Sequence, residues 1–350
     1  MEPVTHFLTG ACIGRAGLNR TTGYATLMVT LAAEFPDVDV LWSIRGPIEG
    51  FAHHRGVTHS FIGAPFDSVI VLAFVYAFHR WRLSRGKSPP LPPRWGLLFL
   101  FGILAVFSHI LLDFTNNYGV RPFLPFSWRW YSWDIVLIVE PFMLLFLVLG
   151  LLLPAIFALV GSEIGARKEI FRGRWSAITA LLLVCAVWWV RDYQHRKAVT
   201  LLRSTDYRGE VLTKAAAMPY AITPFAWAGI VETPSLYAEV PIDSRLTNVD
   251  VLDHAQMLYK PAETPISLAA KRSPLGRVYL DWARFPYVET ESLEPGQGYV
   301  VHFRDLRFDY PAFGALGNRP RGRTPLSADV VLNRNLNVVT MRMGNREEKP

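Results

Sequence analysis

Three imidazoles fall within seven residues in His53-His54-Arg55-Gly56-Val57-Thr58-His59-Ser60, and another recurs at His109 with a carboxylate four positions on, at Asp113. Residues i and i+4 share one face of a helix, so His109 and Asp113 make a two-donor unit of the kind that holds a divalent metal. Neutral imidazole combined with carboxylate suits zinc, manganese or iron better than calcium or magnesium. Other ionisable groups lie in or beside apolar segments: His6; Glu34, Asp37 and Asp39; Asp67; Asp134 and Glu140. Such groups are costly in a membrane and by default face a protein interior and mark function. Each also has a plainer explanation. Asp37 and Asp39 fit a turn after Pro36, Asp134 fits a helix cap, and Asp67 fits a buried carboxylate bonded to a hydroxyl. Glu140, six residues into the helix expected from Asp134, is too far along to cap it. His79, His195, His254 and His302 stand apart and suggest no site.

The segments that must position these residues are apolar. The chain has 350 residues, of which 51% are hydrophobic, and the apolar content is concentrated before about residue 192. A bilayer takes roughly 20 apolar residues of helix to cross. The pattern predicts an α-helical integral membrane domain of about six membrane segments over residues 1–192, at 5–18, 21–34, 59–79, 95–114, 134–160 and 175–190. The first two are short for a full span and fit either a packed helical hairpin or a tilted pair. Residues 193–350 read as a β-rich soluble domain entered through a polar helical stretch. Strands are expected at Phe225 to Val231, Val278 to Phe285, Tyr299 to Arg304 and Val339 to Met343, from period-two alternation and β-prone composition.

The net charge of +7 does not point to nucleic acid, because Lys and Arg flank the apolar runs, where the positive-inside effect accounts for them. The loop at 80–94 carries five basic residues and the loop at 161–174 carries Arg167, Lys168, Arg172 and Arg174. Those loops are expected inside, which places the His and Asp groups and the C-terminal domain on the opposite, periplasmic face of a bacterial inner membrane. Cys12 and Cys185, the two cysteines, lie in apolar segments and are too few for a disulfide framework. The N-terminus has no basic n-region and no small-residue cleavage site, so no cleaved signal peptide is expected.

Thr5-His6, the Pro36-Asp37-Val38-Asp39 corner, His54-Arg55-Gly56-Val57-Thr58-His59-Ser60, His109-Ile110-Leu111-Leu112-Asp113, and Asn117-Tyr118-Gly119 through Pro125-Phe126 resemble the YdjM-type family of inner-membrane metal-dependent hydrolases. The resemblance covers roughly residues 1–145 and implies a hydrolase without naming its substrate. The aspartate-proline pair of that family appears here as Glu140-Pro141. Read together, His6, Asp37, His54, His59, His109 and Asp113 are the candidate metal ligands, for zinc first and manganese or iron next. Asp39 or Glu140 is the candidate general base, and Arg55 a candidate clamp for an anionic group. A lipid, lipid-linked or phosphoester substrate at the membrane surface is the expectation. A transporter or proton relay, and a non-catalytic protein stabilised by metal, fit the same residue types.

Overall fold

Gly10 and Gly14 set the first helix against the second at backbone distance. In the computed structural model, which describes residues 1–163, 171–246, 255–294, 297–310 and 326–350, α1 spans Pro3–Ala16 and α2 Ala25–Glu34. A Cβ on Gly10 would meet Ala33 Cβ at 2.8 Å and Thr30 Cα at 2.9 Å, and one on Gly14 would meet Thr26 Cα at 2.7 Å. Small residues four apart permit this approach in apolar surroundings. At 14 and 10 residues, these helices are about 21 and 15 Å long, short of a hydrocarbon thickness of about 30 Å.

The chain divides into two units, residues 1–39 with 55–191, and residues 40–54 with 192–350. In the first, α4 spans Gly63–Ser84, α5 Trp95–Thr115 and α6 Pro141–Glu163, and α7, Arg174–Ser204, belongs to it as far as Arg191. Among the described residues α5, α6 and α7 are long and apolar enough to cross a membrane, and a bent pair ending in α4 makes a fourth span if counted as one. Of the six expected membrane segments, three or four are thus long and apolar enough to span among the described residues, and the two short ones, α1 and α2, form a packed hairpin. Met28, Val29, Ala64, Leu98 and Val106 form a core joining α2, α4 and α5. Cys12, Leu112, Met143, Leu147 and Ala180 join α1, α5, α6 and α7.

The fifth predicted segment starts later than expected. Residues 134–140 are not helical: Val136 bridges Asn116, and the Ile135 N–H donates to the Thr115 carbonyl at 3.0 Å. α6 begins only at Pro141, and the Leu144 N–H donates to the Glu140 carbonyl at 3.1 Å. Glu140 thus stands at the cap position followed by proline, a favoured helix start, and not inside a helix.

The second unit includes α3, Pro47–His53, and two antiparallel meanders. One has the order β1 (Lys214–Pro219), β2 (Ala226–Glu232), β3 (Leu236–Asp243) and β4 (Gln256–Tyr259). The other runs β5 (Pro286–Ser292), β6 (Tyr299–Asp305), β7 (Ala328–Leu332), β8 (Val338–Met343) and β9 (Arg346–Glu348). Ala216, Ile230 and Tyr237 of the first sheet share a core with Phe285, Tyr287 and Leu306. Three of the four expected strands appear as β2, β6 and β8. The fourth, Val278 to Phe285, is overturned: Pro265–Arg272 is α8 and Pro274–Trp282 is α9. Ser273 caps the Gly276 N–H, Pro274 takes the first position, and Leu275, Tyr279 and Trp282 recur on the buried helical face. His302 also has partners, with Nδ1 2.7 Å from Asp329 and Nε2 3.3 Å from Glu291 across the sheet. Arg167, Lys168 and His254 lie outside the described residues.

Two outcomes test this packing. Gly10→Ala should destabilise the protein by about 1–3 kcal/mol through overpacking, whereas Gly96→Ala, with nothing within 4 Å of the added Cβ, should not; equal thermal midpoints in detergent would contradict the close hairpin. Glu239 on β3 has its pKa pushed up to about 7, by burial first and by Asp309 next. Its folded pKa exceeds the model-compound value of 4.5, so its contribution is fully present below 4.5 and lost as pH rises through about 7. Glu239→Gln should flatten the fall in stability across that window, read by thermal unfolding at pH 4.5 and 8.

Candidate metal centre

α5 presents His109 and Asp113 to the segment after α2 and to the turn before α4. After Glu34, Pro36 ends the α-helical pattern and Phe35–Ile44 continues as a 3-10 stretch that carries Asp37 and Asp39. Val57–His59 is another 3-10 turn, with His59 at its end. One donor atom from each of Asp37, His59, His109 and Asp113 lies within 4.8 Å of all the others.

The separations are those of ligands around one ion. His59 Nε2 and His109 Nε2 are 3.0 Å apart, Asp113 Oδ2 lies 3.3 and 3.4 Å from them, and Asp37 Oδ1 lies 3.3 and 3.6 Å from them. Tetrahedral donors at metal distances of about 2.0–2.1 Å stand about 3.3 Å apart. The polar bookkeeping agrees. The Nδ1–H of His109 donates to the Ala33 carbonyl at 2.7 Å, so Nε2 is the bare nitrogen. His59 Nδ1 is flanked by Asp39 Oδ2 and Thr58 Oγ1, both at 3.2 Å, and its Nε2 also faces inward. Two lone pairs 3.0 Å apart call for a cation or a shared proton. Asp113 Oδ2 is buried without a hydrogen-bond partner, which a bound cation would remedy. The four residues fit a divalent metal.

Around these donors the chain supplies supports. Asp39 Oδ2 accepts the Arg55 backbone N–H at 2.7 Å. The Arg55 guanidinium is buried, donating to Asp113 Oδ1 at 2.7 Å and to the Gly119 carbonyl at 2.6 Å, with its face over Tyr118 at 4.7 Å. His6 stacks on His109 with ring centroids 3.6 Å apart, and its Nε2 is 3.0 Å from the Met1 amino nitrogen, which also bonds Asp113 Oδ1.

A model of the YdjM inner membrane protein family matches residues 1–198. The chain belongs to this family. It is also similar to the uncharacterized protein YfhP of Bacillus subtilis (strain 168), with 28% identity over 152 residues, which is 41% of this chain and 42% of that protein. The chain therefore spans less than half the length of that relative. No solved structure matches.

Within this member of the family, the expected residues separate into three groups. Asp37, His59, His109 and Asp113 form the cluster. His6, Asp39 and Arg55 lie against it but turn their polar atoms to its supports. Arg55 therefore offers no open clamp, because its charge is used on Asp113 and Gly119. Its backbone, at φ +52°, is the left-handed residue of the turn. His54 belongs with residues 40–54 in the second unit, as does His53, stacked on Trp42 at 4.0 Å. His54 and Glu140 are not members of the donor group. Glu140 is instead paired with Arg191, Oε2 to Nη2 at 3.0 Å, both buried. The sequence gives no signal for the Ala33 carbonyl or for Asn116, whose Oδ1 accepts from Arg55 at 3.3 Å. Glu34 has Oε2 buried without a hydrogen-bond partner and within electrostatic range of Asp37.

His59→Ala or His109→Ala should abolish stoichiometric binding of a transition metal by the purified protein. Asp39→Asn keeps all four donors and should weaken metal affinity about 10–100-fold, the usual effect of losing an outer-sphere carboxylate. Elemental analysis and chelator competition read both, and unchanged affinity in Asp39→Asn would remove its assigned role.

Proposed function

We propose that this protein is a multi-pass inner-membrane hydrolase that uses a divalent metal, zinc first, held by Asp37, His59, His109 and Asp113, on a phosphoester of a membrane lipid. The observation that carries this is the set of four donors at metal-ligand spacing with two imidazoles already oriented by Ala33 and Asp39. A metal held there supplies Lewis acidity and lowers the pKa of bound water to about 7, making hydroxide available at neutral pH.

The protein's own groups divide the remaining work. Asp39 and the Ala33 carbonyl hold the imidazole protons on Nδ1 and keep both Nε2 atoms directed inward. Arg55 fixes Asp113 through Oδ1 and leaves Oδ2 for the donor set. Asp37 is the one cluster member with solvent access, 22% exposed where the other three are at 0%, so water and substrate approach along it. Glu34, with Oε2 unpartnered, is the spare carboxylate and takes the role of general base in place of Asp39 and Glu140. It would accept a proton from the attacking water. Apolar side chains are exposed on the turn that carries His59 and on the segment after α5: Val57 is 61% exposed and Phe126 84%, and Phe61 packs on Phe123 at 5.5 Å. A surface of that composition suits an acyl chain better than a soluble substrate. The basic loops support an orientation with this mouth and the β-rich unit on the periplasmic face.

One observation favours a second reading, a structural metal. Four protein donors would saturate a tetrahedral ion, whereas catalytic zinc keeps one position open. Asp37 separates the two. If Asp37 yields to water, Asp37→Ala keeps stoichiometric metal on three donors; if it closes a structural site, that variant loses both the metal and thermal stability. For the hydrolase, release of phosphate or headgroup from lipid phosphoesters by the purified protein should stop with chelator and return with zinc. Glu34→Gln should lower kcat by about 10²–10⁴, the range for general bases, at unchanged metal content. Hydrolysis that survives complete metal removal would exclude the proposal, and an unaffected Glu34→Gln would exclude Glu34 as the base.

A further inference from the structure

The other end of the α1/α2 hairpin carries a second feature. From His6 to Arg15 is nine residues of α1, about 14 Å of helix rise away from the donor cluster. There a cavity of about 340 Å³ is bounded by Arg15, Asn19, Thr26 and Arg172 on one side and by α6, through Ala155 and Ala158, on the other. Among the described residues none that lines it is acidic. Arg15 Nη1 donates to the Leu151 carbonyl at 3.3 Å, which holds the guanidinium against α6. Arg20 donates to the Phe171 carbonyl at 3.1 Å and Arg174 to the Ala16 carbonyl at 3.1 Å, so the ends of the hairpin and of α7 are tied by arginine-to-carbonyl bonds. Asn19 Oδ1 is buried and has no hydrogen-bond donor among the described residues. Further along α6, Leu152 and Leu159 are 48% and 69% exposed, which continues the apolar wall onto the surface of a candidate membrane span.

Two guanidiniums, a threonine hydroxyl and an acceptor that lacks a donor, backed by small apolar residues, are complementary to a particular ligand. The arginines suit a phosphate diester. The orphaned amide oxygen suits a hydroxyl of the headgroup, which choline cannot provide. Ala155, Ala158 and the exposed leucines suit an acyl chain. We infer that this cavity binds an anionic phospholipid with a hydroxyl-bearing headgroup, of the phosphatidylglycerol type, in the leaflet at the basic end of the helices. The site is independent of the metal centre and uses none of its residues.

Thermal unfolding of the full-length protein in detergent, titrated with phosphatidylglycerol, phosphatidylcholine or inorganic phosphate, tests it. Phosphatidylglycerol should raise the midpoint at concentrations where phosphatidylcholine and inorganic phosphate do not. Arg15→Gln with Arg172→Gln should weaken its apparent affinity about 25-fold, roughly fivefold for each arginine. Ala158→Phe, which fills the cavity and keeps both charges, should abolish the preference, and it tests the site even where the double glutamine variant does not fold. Equal stabilisation by phosphatidylcholine, reproduction of the shift by inorganic phosphate, or a preference retained in Ala158→Phe would each overturn the assignment.

Discussion

A carboxylate with no exposed surface, Asp113 on α5, is the group around which the first unit is arranged. Removing an ionised carboxylate from water costs several kcal/mol unless charge and hydrogen bonds answer it. Its two oxygens are answered differently. Oδ1 takes Arg55 and the Met1 amino group, while Oδ2 faces the Nε2 atoms of His59 and His109. With both Nδ1 positions committed to acceptors, those imidazoles present lone pairs and cannot donate to Oδ2 while neutral. A cation among them resolves the repulsion and the orphaned oxygen together, which is why the cluster is read as a metal centre and not as a hydrogen-bonded network.

The scaffold follows from the need to hold that arrangement. His109 is oriented by a carbonyl on α2, so the distance between α2 and α5 sets the imidazole; Gly10 and Gly14 let α1 press close on α2 and carry His6 onto the His109 ring. Asp39 joins the two irregular segments, since its one carboxylate meets both the Arg55 amide and His59. Arg55 then reaches back through Gly119 and Asn116 to the segment after α5. Each connection uses a backbone group or a buried charge, and the irregular backbone that contributes them is buried in protein, where non-helical structure at membrane depth can be tolerated.

Much of this was legible in the sequence, for reasons that can be assigned. The i, i+4 spacing of His109 and Asp113 and the HRGxTHS run mark three of the four donors, because local spacing determines which face of a helix or turn they share. The proline at 36 marks the corner that carries Asp37. The misreadings arise where direction or pairing decides. Arg55 reads as a clamp for an anionic group, but its guanidinium is buried on Asp113 and the Gly119 carbonyl, partners about 60 residues away that no local spacing signals. Glu140 is chemically a plausible base, but its partner Arg191 is 51 residues away in sequence, beyond any local signal. Val278 to Phe285 is β-prone in composition, and capping by Ser273 and Pro274 prevails over that propensity. The placement of residues 40–54 with the second unit is a long-range outcome that no local pattern encodes.

The two ends of the α1/α2 hairpin differ in chemistry as a membrane helix pair requires. One end gathers carboxylates and imidazoles whose charges cancel or are satisfied by a bound cation; the other gathers arginines, of which Arg15, Arg20 and Arg174 donate to backbone carbonyls. A guanidinium bonded to a carbonyl keeps its full charge, so the basic end attracts anions while the donor end is close to neutral once a divalent ion is bound. The same short helices therefore have reason to be polar at both mouths although they are too short to span. Their function is to bring backbone carbonyls and ionisable side chains to α5 and α6, and the longer helices provide the apolar length. On this division of labour, mutations in the middle of the hairpin act on stability, whereas those at its ends act on binding.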